Sequence, residues 1–248
     1  MDLPTEILVN VLQNLDLKDL IRIELINHQF KNLIRNYPWK HIIVSTRYTS
    51  VIAVVIKNYQ FKKYNFSYSN ITDEMVSCLG NCHTLNLAVC YRITDASVKH
   101  LGNCHTLNLA FSKLITDSSV KYLGNCHTVY LFGCNLITDS SVKGLRNCHT
   151  LNLKWCNQIT DSSVKHLGNC HTLNLTGCTQ ITDSSVKNLG NCHTLNLSYC
   201  YRITDSSVIS LKNCHTVDLS YCQLITAECV KFLGNSCVLH SNCLVPIF

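Results

Sequence analysis

Thiol and imidazole side chains stand side by side at regular intervals along this 248-residue chain. The tetrapeptide Asn-Cys-His-Thr occurs seven times, once every 22 residues. Its cysteines, each followed by a histidine, are Cys82, Cys104, Cys126, Cys148, Cys170, Cys192 and Cys214. Thiolate and imidazole are the usual zinc ligands, two thiols can form a disulfide, and imidazole can transfer protons near neutral pH. The pattern could support any of these three kinds of chemistry.

The spacing favours a structural role over a metal or catalytic one. A second cysteine follows eight residues after the first in six of the seven units, and Ser112 holds that place in the remaining one. The C-x2-C pair that is typical of zinc sites does not occur. Catalysis needs one privileged site, whereas these units are equivalent. We therefore expect no metal, no cofactor and no catalytic residue, and interpret the cysteines as small core residues.

The histidines are interpreted as partners of backbone groups at the start of a strand. If their rings stack about 5 Å apart, protonation makes neighbours repel one another. The histidine file should therefore be sensitive to acid.

The cysteine count indicates a reducing environment. Seventeen is an odd number, and the N-terminus has neither the basic start nor the apolar stretch of a signal peptide. We expect free thiols in an intracellular protein, cytoplasmic or nuclear and not secreted. A disulfide between stacked cysteines stays open on distance alone, because neighbouring strands lie about 4.8 Å apart.

Composition limits the classes of partner. Hydrophobic residues make up 46% of the chain and charged residues 15%, which argues against intrinsic disorder. The net charge of +6 comes from scattered lysines rather than from a basic run, so no nucleic-acid partner is expected. Because no apolar run reaches the roughly 18 residues of a membrane span, no membrane contact is expected either.

The 22-residue unit has the pattern of a stacked repeat. From Cys148 the sequence reads C-x-x-L-x-L-x-x-C-x-x-I, which resembles the leucine-rich-repeat template with cysteine in its first position. Leu151 and Leu153 have strand spacing, so both side chains should point inward. A short helix with Val164 and Leu167 on its inner face should follow.

The ends of that short helix carry their own signals. Thr160 or Asp161 can cap its N-terminus through a side-chain oxygen. Gly168 suits a left-handed stop at its C-terminus. Arg146 and Lys212 occupy the glycine place in two other units, where the left-handed conformation either is absent or falls on the following asparagine.

The predicted fold class is α/β. A three-helix N-terminal module should precede a solenoid with a parallel sheet on its concave face and short helices on its convex face. We expect the module in residues 1–40, a linker with degenerate capping repeats in 41–70, the repeats in 71–235 and a C-terminal cap in 236–248. Apolar runs at 42–44 and 51–56 suggest one further strand and helix before the repeats.

Several segments of the N-terminal module carry a second resemblance. They are Leu3–Ile7 (LPTEI), Val11–Leu12, Leu15–Leu20 (LDLKDL), Ile26–Phe30 (INHQF) and Trp39. Together they resemble an F-box. The departures are Leu12, Asn27 and Phe30, where the family more often has phenylalanine, cysteine and tryptophan. The rest of the chain is similar to the cysteine-containing leucine-rich repeats of one F-box subclass, with a shorter repeat.

This resemblance implies a receptor subunit of a cullin-based ubiquitin ligase, whose F-box docks on the Skp adaptor and whose repeats hold the protein to be ubiquitinated. Carried over to this chain, the docking surface comprises Leu3, Pro4, Glu6, Ile7, Leu8, Val11, Leu12, Leu15 and Leu20. An apolar helical face on so small a module favours a partner groove. The alternative is that this face packs on the first repeat.

Target recognition should depend on the positions where the units differ. The two residues after each L-x-L are variable and rich in aromatic side chains, which together with arginine dominate interface hot spots. The candidate target-binding residues are Phe111, Phe132, Lys154, Trp155, Tyr199, Arg202 and Tyr221. The alternative is that they shield the loop layer of the solenoid.

Asparagines that recur on the exposed strand face are interpreted as a structural amide ladder. They are Asn86, Asn108, Asn152, Asn174 and Asn196.

Three functions remain open from the sequence. The first is a non-enzymatic substrate receptor of a Skp-cullin-F-box ligase, with the Skp adaptor, a cullin and an unidentified target protein as partners. The second is a non-ligase leucine-rich-repeat scaffold, or a decoy that competes for the adaptor. The third is a metal- or redox-responsive repeat protein built on the Cys-His pairs.

Overall fold

Nine short parallel strands form one sheet in the computed structural model, which describes residues 4–233. The strands are β1 Ile43–Ser45, β2 Lys63–Asn65, β3 Thr84–Asn86, β4 Thr106–Asn108, β5 Thr128–Tyr130, β6 Thr150–Asn152, β7 Thr172–Asn174, β8 Thr194–Asn196 and β9 Thr216–Asp218. They lie in the sheet in chain order, and equivalent residues pair, as Leu151 does with Leu173. The predicted α/β solenoid with a parallel sheet is confirmed.

A short helix follows every strand. The helices of the solenoid are α4 Thr49–Asn58, α5 Asp73–Ser77, α6 Asp95–Val98, α7 Asp117–Val120, α8 Asp139–Val142, α9 Asp161–Val164, α10 Asp183–Val186, α11 Asp205–Val208 and α12 Ala227–Lys231. In two units the α-helix continues as a 3₁₀ turn, at Lys143–Leu145 and Ile209–Leu211. A helix of four residues is too short to be stable alone, so neighbouring units must hold it in place.

Aspartates at the helix starts link each unit to the next. Asp161 accepts hydrogen bonds from the backbone N–H of Thr182 at 2.8 Å and from its hydroxyl at 2.5 Å, and from the hydroxyl of Ser185 at 2.5 Å. Six other aspartates accept the same two bonds from the equivalent threonine of the next unit: Asp73, Asp95, Asp117, Asp139, Asp183 and Asp205. We call these seven residues the aspartate ladder.

Thr160 and Asp161, which the sequence offered as alternative helix caps, have different roles in the structure. Thr160 caps its own helix, because its side chain accepts from the backbone N–H of Ser162. Asp161 instead bonds the next unit. Burial alone would raise the pKa of Asp161, but hydrogen bonds from Ser185 and Thr182 outweigh it and lower that pKa. Asp161 is therefore held in its charged form.

The glycines after the helices have a different role from the predicted left-handed stop. No left-handed φ occurs at Gly168, at Asn147 or at Asn213. A Cβ on Gly168 would instead lie 2.2 Å from the carbonyl oxygen of Asn188 in the next unit. Glycine is needed there because the backbones of adjacent units approach closely.

The core is one continuous cluster from Leu12 to Leu233. Leu151 and Leu153 are fully buried, as predicted, and so are both cysteines of a typical unit. The second cysteine also donates a hydrogen bond: Cys156 Sγ lies 3.2 Å from the carbonyl oxygen of Leu131. Burial raises the pKa of Cys156 to about 12, so its thiol stays protonated and inert.

The N-terminal module consists of α1 Thr5–Leu12, α2 Leu17–Glu24 and α3 His28–Asn36. A network that includes a buried charge fixes it to the solenoid. Glu24 accepts hydrogen bonds from Arg35 Nε at 2.6 Å and from the hydroxyl of Tyr59 at 2.6 Å. Arg35 also pairs with Glu24 through its Nη2 at 2.5 Å. The buried indole of Trp39 donates to the carbonyl of Ile34 at 2.9 Å and closes the module.

The predicted C-terminal cap, residues 236–248, lies outside the described residues. Among the helices of residues 4–233, none has both the length and the apolar composition that crossing a bilayer requires.

Candidate protein-binding surfaces

The predicted docking residues of the module divide by exposure. Ile7 and Val11 lie one turn apart on α1 and are 51% and 62% exposed. Pro4 and Glu6 are also exposed. Because side chains four residues apart share a helix face, Ile7 and Val11 form one apolar stripe that faces solvent.

The other predicted docking residues are covered by the chain itself. Leu8, Leu12 and Leu20 are buried, and Leu15 is half-buried. Leu12 and Leu20 join the continuous core, because the module packs on the first strand and helix of the solenoid. These leucines pack beneath the exposed surface and are not part of it. Leu3 lies outside the described residues.

Sequence reasoning missed a second apolar stripe on α2 and the turn after it. Ile21, Leu25 and Ile26 are exposed, and Leu25 reaches 83%. The signal was present as apolar residues four apart, at Ile21 and Leu25, on a helix that also has a buried side at Leu20. We use the name module face for the exposed apolar side chains of the two stripes, which are Ile7, Val11, Ile21, Leu25 and Ile26.

Four of the five aromatic candidates have a backbone conformation that L-residues rarely adopt. The second residue of the variable pair has φ of 61° at Val89, 60° at Phe111, 60° at Trp155, 61° at Tyr199 and 63° at Tyr221. A left-handed non-glycine residue costs about 1 kcal/mol or more. Such strain persists where surrounding contacts impose it, and it clusters at functional surfaces.

Glycines in the same file make room for the rings. A Cβ on Gly177 would lie 2.4 Å from the indole of Trp155, and one on Gly133 would lie 2.9 Å from the ring of Phe111. Each of these rings therefore lies over the backbone of the following unit. The sequence contained this signal, because glycine alternates with bulky residues at one template position.

The aromatic candidates form two clusters along the sheet. Phe111 and Phe132 have ring centroids 4.4 Å apart, and Lys154 Nζ lies 5.2 Å from the centre of the Phe132 ring. Trp155 and Tyr199 are 5.8 Å apart. Tyr221 stacks on Tyr199 with a centroid distance of 4.3 Å and an angle of 13°. We call Phe111, Phe132, Lys154, Trp155, Tyr199 and Tyr221 the aromatic row.

Arg202 lies apart from this row. Its Nη1 donates to Gln180 Oε1 at 3.5 Å, on the exposed loop that leads to the next helix. Tyr201, which sequence reasoning did not select, contacts Tyr199 edge-on at 6.3 Å. The side chain that reaches the row from this loop is therefore Tyr201 rather than Arg202.

The asparagine file beside the aromatic row bonds locally and does not form the predicted amide ladder. Asn152 Oδ1 accepts the backbone N–H of Lys154 at 3.0 Å, and equivalent bonds close the turn after the other strands. Asp218 takes the asparagine place in β9 and accepts from Asn196 Nδ2 at 2.8 Å. It puts a carboxylate beside the tyrosine end of the row.

The seven histidines of the Asn-Cys-His-Thr motifs form a stacked file at the N-terminal ends of the strands, opposite the aromatic row. Neighbouring rings are 4.4–4.5 Å apart and 9–14° from parallel. Each Nδ1 lies 3.0–3.4 Å from the hydroxyl of the following threonine, not from a backbone group as predicted. Desolvation and the neighbours His171 and His215 lower the pKa of His193. Within residues 4–233, no group of three metal-ligating side chains could hold an ion.

Comparison with known proteins identifies the two parts of the chain. A family model described as the F-box domain matches residues 1–42. Three similar solved structures are a complex of Rad7 and Elc1 from yeast, an internalin (inlF) from Listeria monocytogenes and a leucine-rich-repeat protein from Leptospira interrogans. The chain thus combines an F-box domain at residues 1–42 with the fold of leucine-rich-repeat proteins. No curated protein matches the chain.

These neighbours share the fold of the repeats. The yeast complex matches with a TM-score of 0.61 at 17% identity over 79% of this chain, the internalin with 0.57 at 23% over 73%, and the Leptospira protein with 0.56 at 17% over 86%. This chain spans 61%, 54% and 61% of their respective lengths. The many cysteines buried in its repeats are consistent with the cysteine-containing subclass.

Proposed function

We propose that this protein is the substrate receptor of a Skp-cullin-F-box ubiquitin ligase and is not itself an enzyme. The observation that carries the proposal is the module face on the F-box helices, where large apolar side chains meet solvent beside buried neighbours. Covering apolar surface releases about 25 cal/mol per Å², so a partner groove for these side chains is favoured. The F-box likeness supports the Skp adaptor, to which a cullin binds, as that partner. The protein acts inside the cell, in cytoplasm or nucleus.

The aromatic row is the proposed target-binding surface. Five of its side chains are large aromatics, the type that most often anchors an interface, and four hold the strained left-handed conformation. Lys154 gives one part of the row a positive charge, and Asp218 puts a negative charge beside Tyr199 and Tyr221. An extended target segment with an acidic residue near Lys154 and a basic residue near Asp218 would match both charges.

The Glu24 network supports this division of roles. It ties the F-box to the first solenoid helix through Arg35 and Tyr59, so the module face and the aromatic row belong to one continuous body. A receptor of this kind holds adaptor and target at a fixed separation.

Adaptor binding can be tested by co-expression with the Skp adaptor and cullin. The variant Ile7→Ser/Val11→Ser/Leu25→Ser removes the most exposed apolar side chains of the module face and leaves its core intact. We expect recovery of the complex to fall by at least about tenfold, since interface anchors contribute about 1–2 kcal/mol or more each.

The matched control is Tyr91→Ser/Leu114→Ser/Leu136→Ser, which removes three exposed apolar side chains from the solenoid. It should leave adaptor binding unchanged. If the folded wild type does not bind the adaptor at all, the ligase proposal is rejected in favour of a non-ligase scaffold. If the F-box variant binds like the wild type, docking uses another face.

A further inference from the structure

A cavity of about 550 Å³ opens where the F-box meets the first repeats. Lys40, near the end of the F-box at residues 1–42, lines one part of it, and Lys62 and Lys63 at the start of β2 line another. Asn81 and Asn103 and the first two rings of the histidine file complete the polar lining. Its residues belong neither to the module face nor to the aromatic row.

The register of the sheet explains why this cavity occurs at one end of the solenoid. Lys63 pairs with Thr84 in β3, so Lys62 occupies the place that histidine takes in the later strands. Two lysines therefore stand where every later unit has an imidazole and a hydroxyl. The Lys62 carbonyl accepts the N–H groups of His83 at 2.7 Å and Thr84 at 3.0 Å, which fixes the backbone of this edge.

The third lysine is positioned by the F-box core. Lys40 directly follows Trp39, whose buried indole is hydrogen-bonded to Ile34. Two different parts of the fold thus bring three lysine residues to the lining of one cavity.

The charge of the cavity is uncompensated. No carboxylate is among its lining residues. The ion pairs recorded within residues 4–233 join Arg22 to Asp19 and Arg35 to Glu24, so none of the three lysines has an acidic partner there. Like charges gathered in a concave site favour an anion, because the surrounding low-dielectric walls strengthen the attraction.

The remaining polar groups favour a phosphate group over a simple carboxylate. Lysine is a common phosphate ligand in proteins, and the amide and imidazole N–H groups of Asn81, Asn103 and His83 can donate to further oxygens. The volume lies within the usual 300–1,000 Å³ of ligand sites, so it has room for a phosphate together with the group that bears it. We propose that this junction cavity binds a phosphate monoester, either a small soluble molecule or a phosphorylated segment of a protein.

The test is isothermal titration calorimetry of the full chain in phosphate-free buffer. The probes are free phosphoserine, a phosphoserine hexapeptide and the same hexapeptide without phosphate. We expect at least one phosphorylated probe to bind at least about tenfold more tightly than the unphosphorylated peptide. Tighter binding of the phosphopeptide assigns the site to a protein segment, and equal or tighter binding of phosphoserine assigns it to a small molecule.

Variants separate the cavity from general positive charge. Lys40→Gln/Lys62→Gln/Lys63→Gln should weaken binding of the phosphorylated probe at least about tenfold, because three charge-assisted bonds are lost. The control Lys121→Gln/Lys165→Gln/Lys187→Gln removes the same charge from exposed positions on the helical side and should bind like the wild type. Lys40→Gln alone, at an exposed position, gives a second reading if the triple variant does not fold.

Three results would overturn the proposal. The phosphorylated probes bind no better than the unphosphorylated peptide; or the cavity variants, if folded, bind like the wild type; or the control variant loses as much affinity as the cavity variant. None of these results depends on the adaptor, so the proposed ligase function is tested separately.

Discussion

Replacing Asp161 with asparagine should destabilise the solenoid by about 2 kcal/mol at neutral pH. Asp161 accepts three hydrogen bonds from the next unit, at 2.8, 2.5 and 2.5 Å. A hydrogen bond to a charged group contributes about 1.5–3 kcal/mol when shielded, but solvent reaches part of this carboxylate, and the asparagine oxygen still accepts one or two of the bonds. The remaining loss of stability arises mainly because the new side-chain NH₂ group donates hydrogen bonds and cannot accept them from the hydroxyls that face it.

The stabilisation by Asp161 should decrease as the pH falls. Because hydrogen bonds lower the pKa of Asp161 in the folded protein, its stabilisation is complete above the unfolded-state pKa of about 3.9. It is lost as the pH falls through the folded-state pKa. The difference in the free energy of unfolding between wild type and variant should therefore be constant from about pH 7 to pH 5 and should shrink below about pH 4.

Urea unfolding followed by far-ultraviolet circular dichroism, at pH 7 and at pH 3, measures that difference. The control Asp19→Asn makes the same charge change at a carboxylate whose ion pair with Arg22, at 3.3 Å, is exposed. Such pairs contribute roughly 0–1 kcal/mol. The reasoning is refuted if Asp161→Asn is no more destabilising than this control at pH 7, or if its effect is unchanged at pH 3.

Three further predictions concern the core and the row. Ser112→Cys should raise the free energy of unfolding by about 1 kcal/mol, since the buried Ser112 hydroxyl has no partner among the described residues and cysteine there can reach a carbonyl, as in other units. Gly177→Ala should lower the free energy of unfolding by about 2 kcal/mol and the melting temperature by several degrees, because the new Cβ would meet the Trp155 indole at a φ of +70°. The control Gly144→Ala, whose Cβ would have its nearest contact at 3.4 Å, should leave both unchanged. Thiol labelling of the native protein at pH 8, read by peptide mass spectrometry, should modify the exposed Cys78 and spare Cys156; equal rates would contradict the inert core.

The inward-facing side of each repeat could be predicted because it depends on local spacing. Leu151 and Leu153 alternate around an outward residue, and that alternation alone places them in the core. Val164 and Leu167 followed in the same way from helical spacing.

The links between repeats could not be predicted from one unit. The partner of Asp161 is Thr182, 21 residues later, and the contact exists only once the units are stacked in register. The same holds for Gly168, whose constraint is a carbonyl in the next unit rather than its own φ.

The candidate site was partly predictable for similar reasons. An aromatic file is visible in the sequence, whereas the left-handed φ of Trp155 is indicated only indirectly, by Gly133 and Gly177 at the equivalent position of the neighbouring units. Helical spacing shows that α2 is amphipathic. It does not show which side rests on the solenoid, and this decides that Leu20 is buried and Leu25 exposed.

The aspartate ladder has a consequence for how such a chain changes in evolution. Every link runs from one unit to the equivalent residues of the next, so duplication or deletion of 22 residues recreates the same bonds at the new junction. Gene-level gain or loss of a unit would therefore preserve the fold. It would shift the aromatic row relative to the F-box by about 4.8 Å per unit, the spacing of adjacent strands. Repeat number thus offers a stepwise adjustment of reach that requires no new contact to arise.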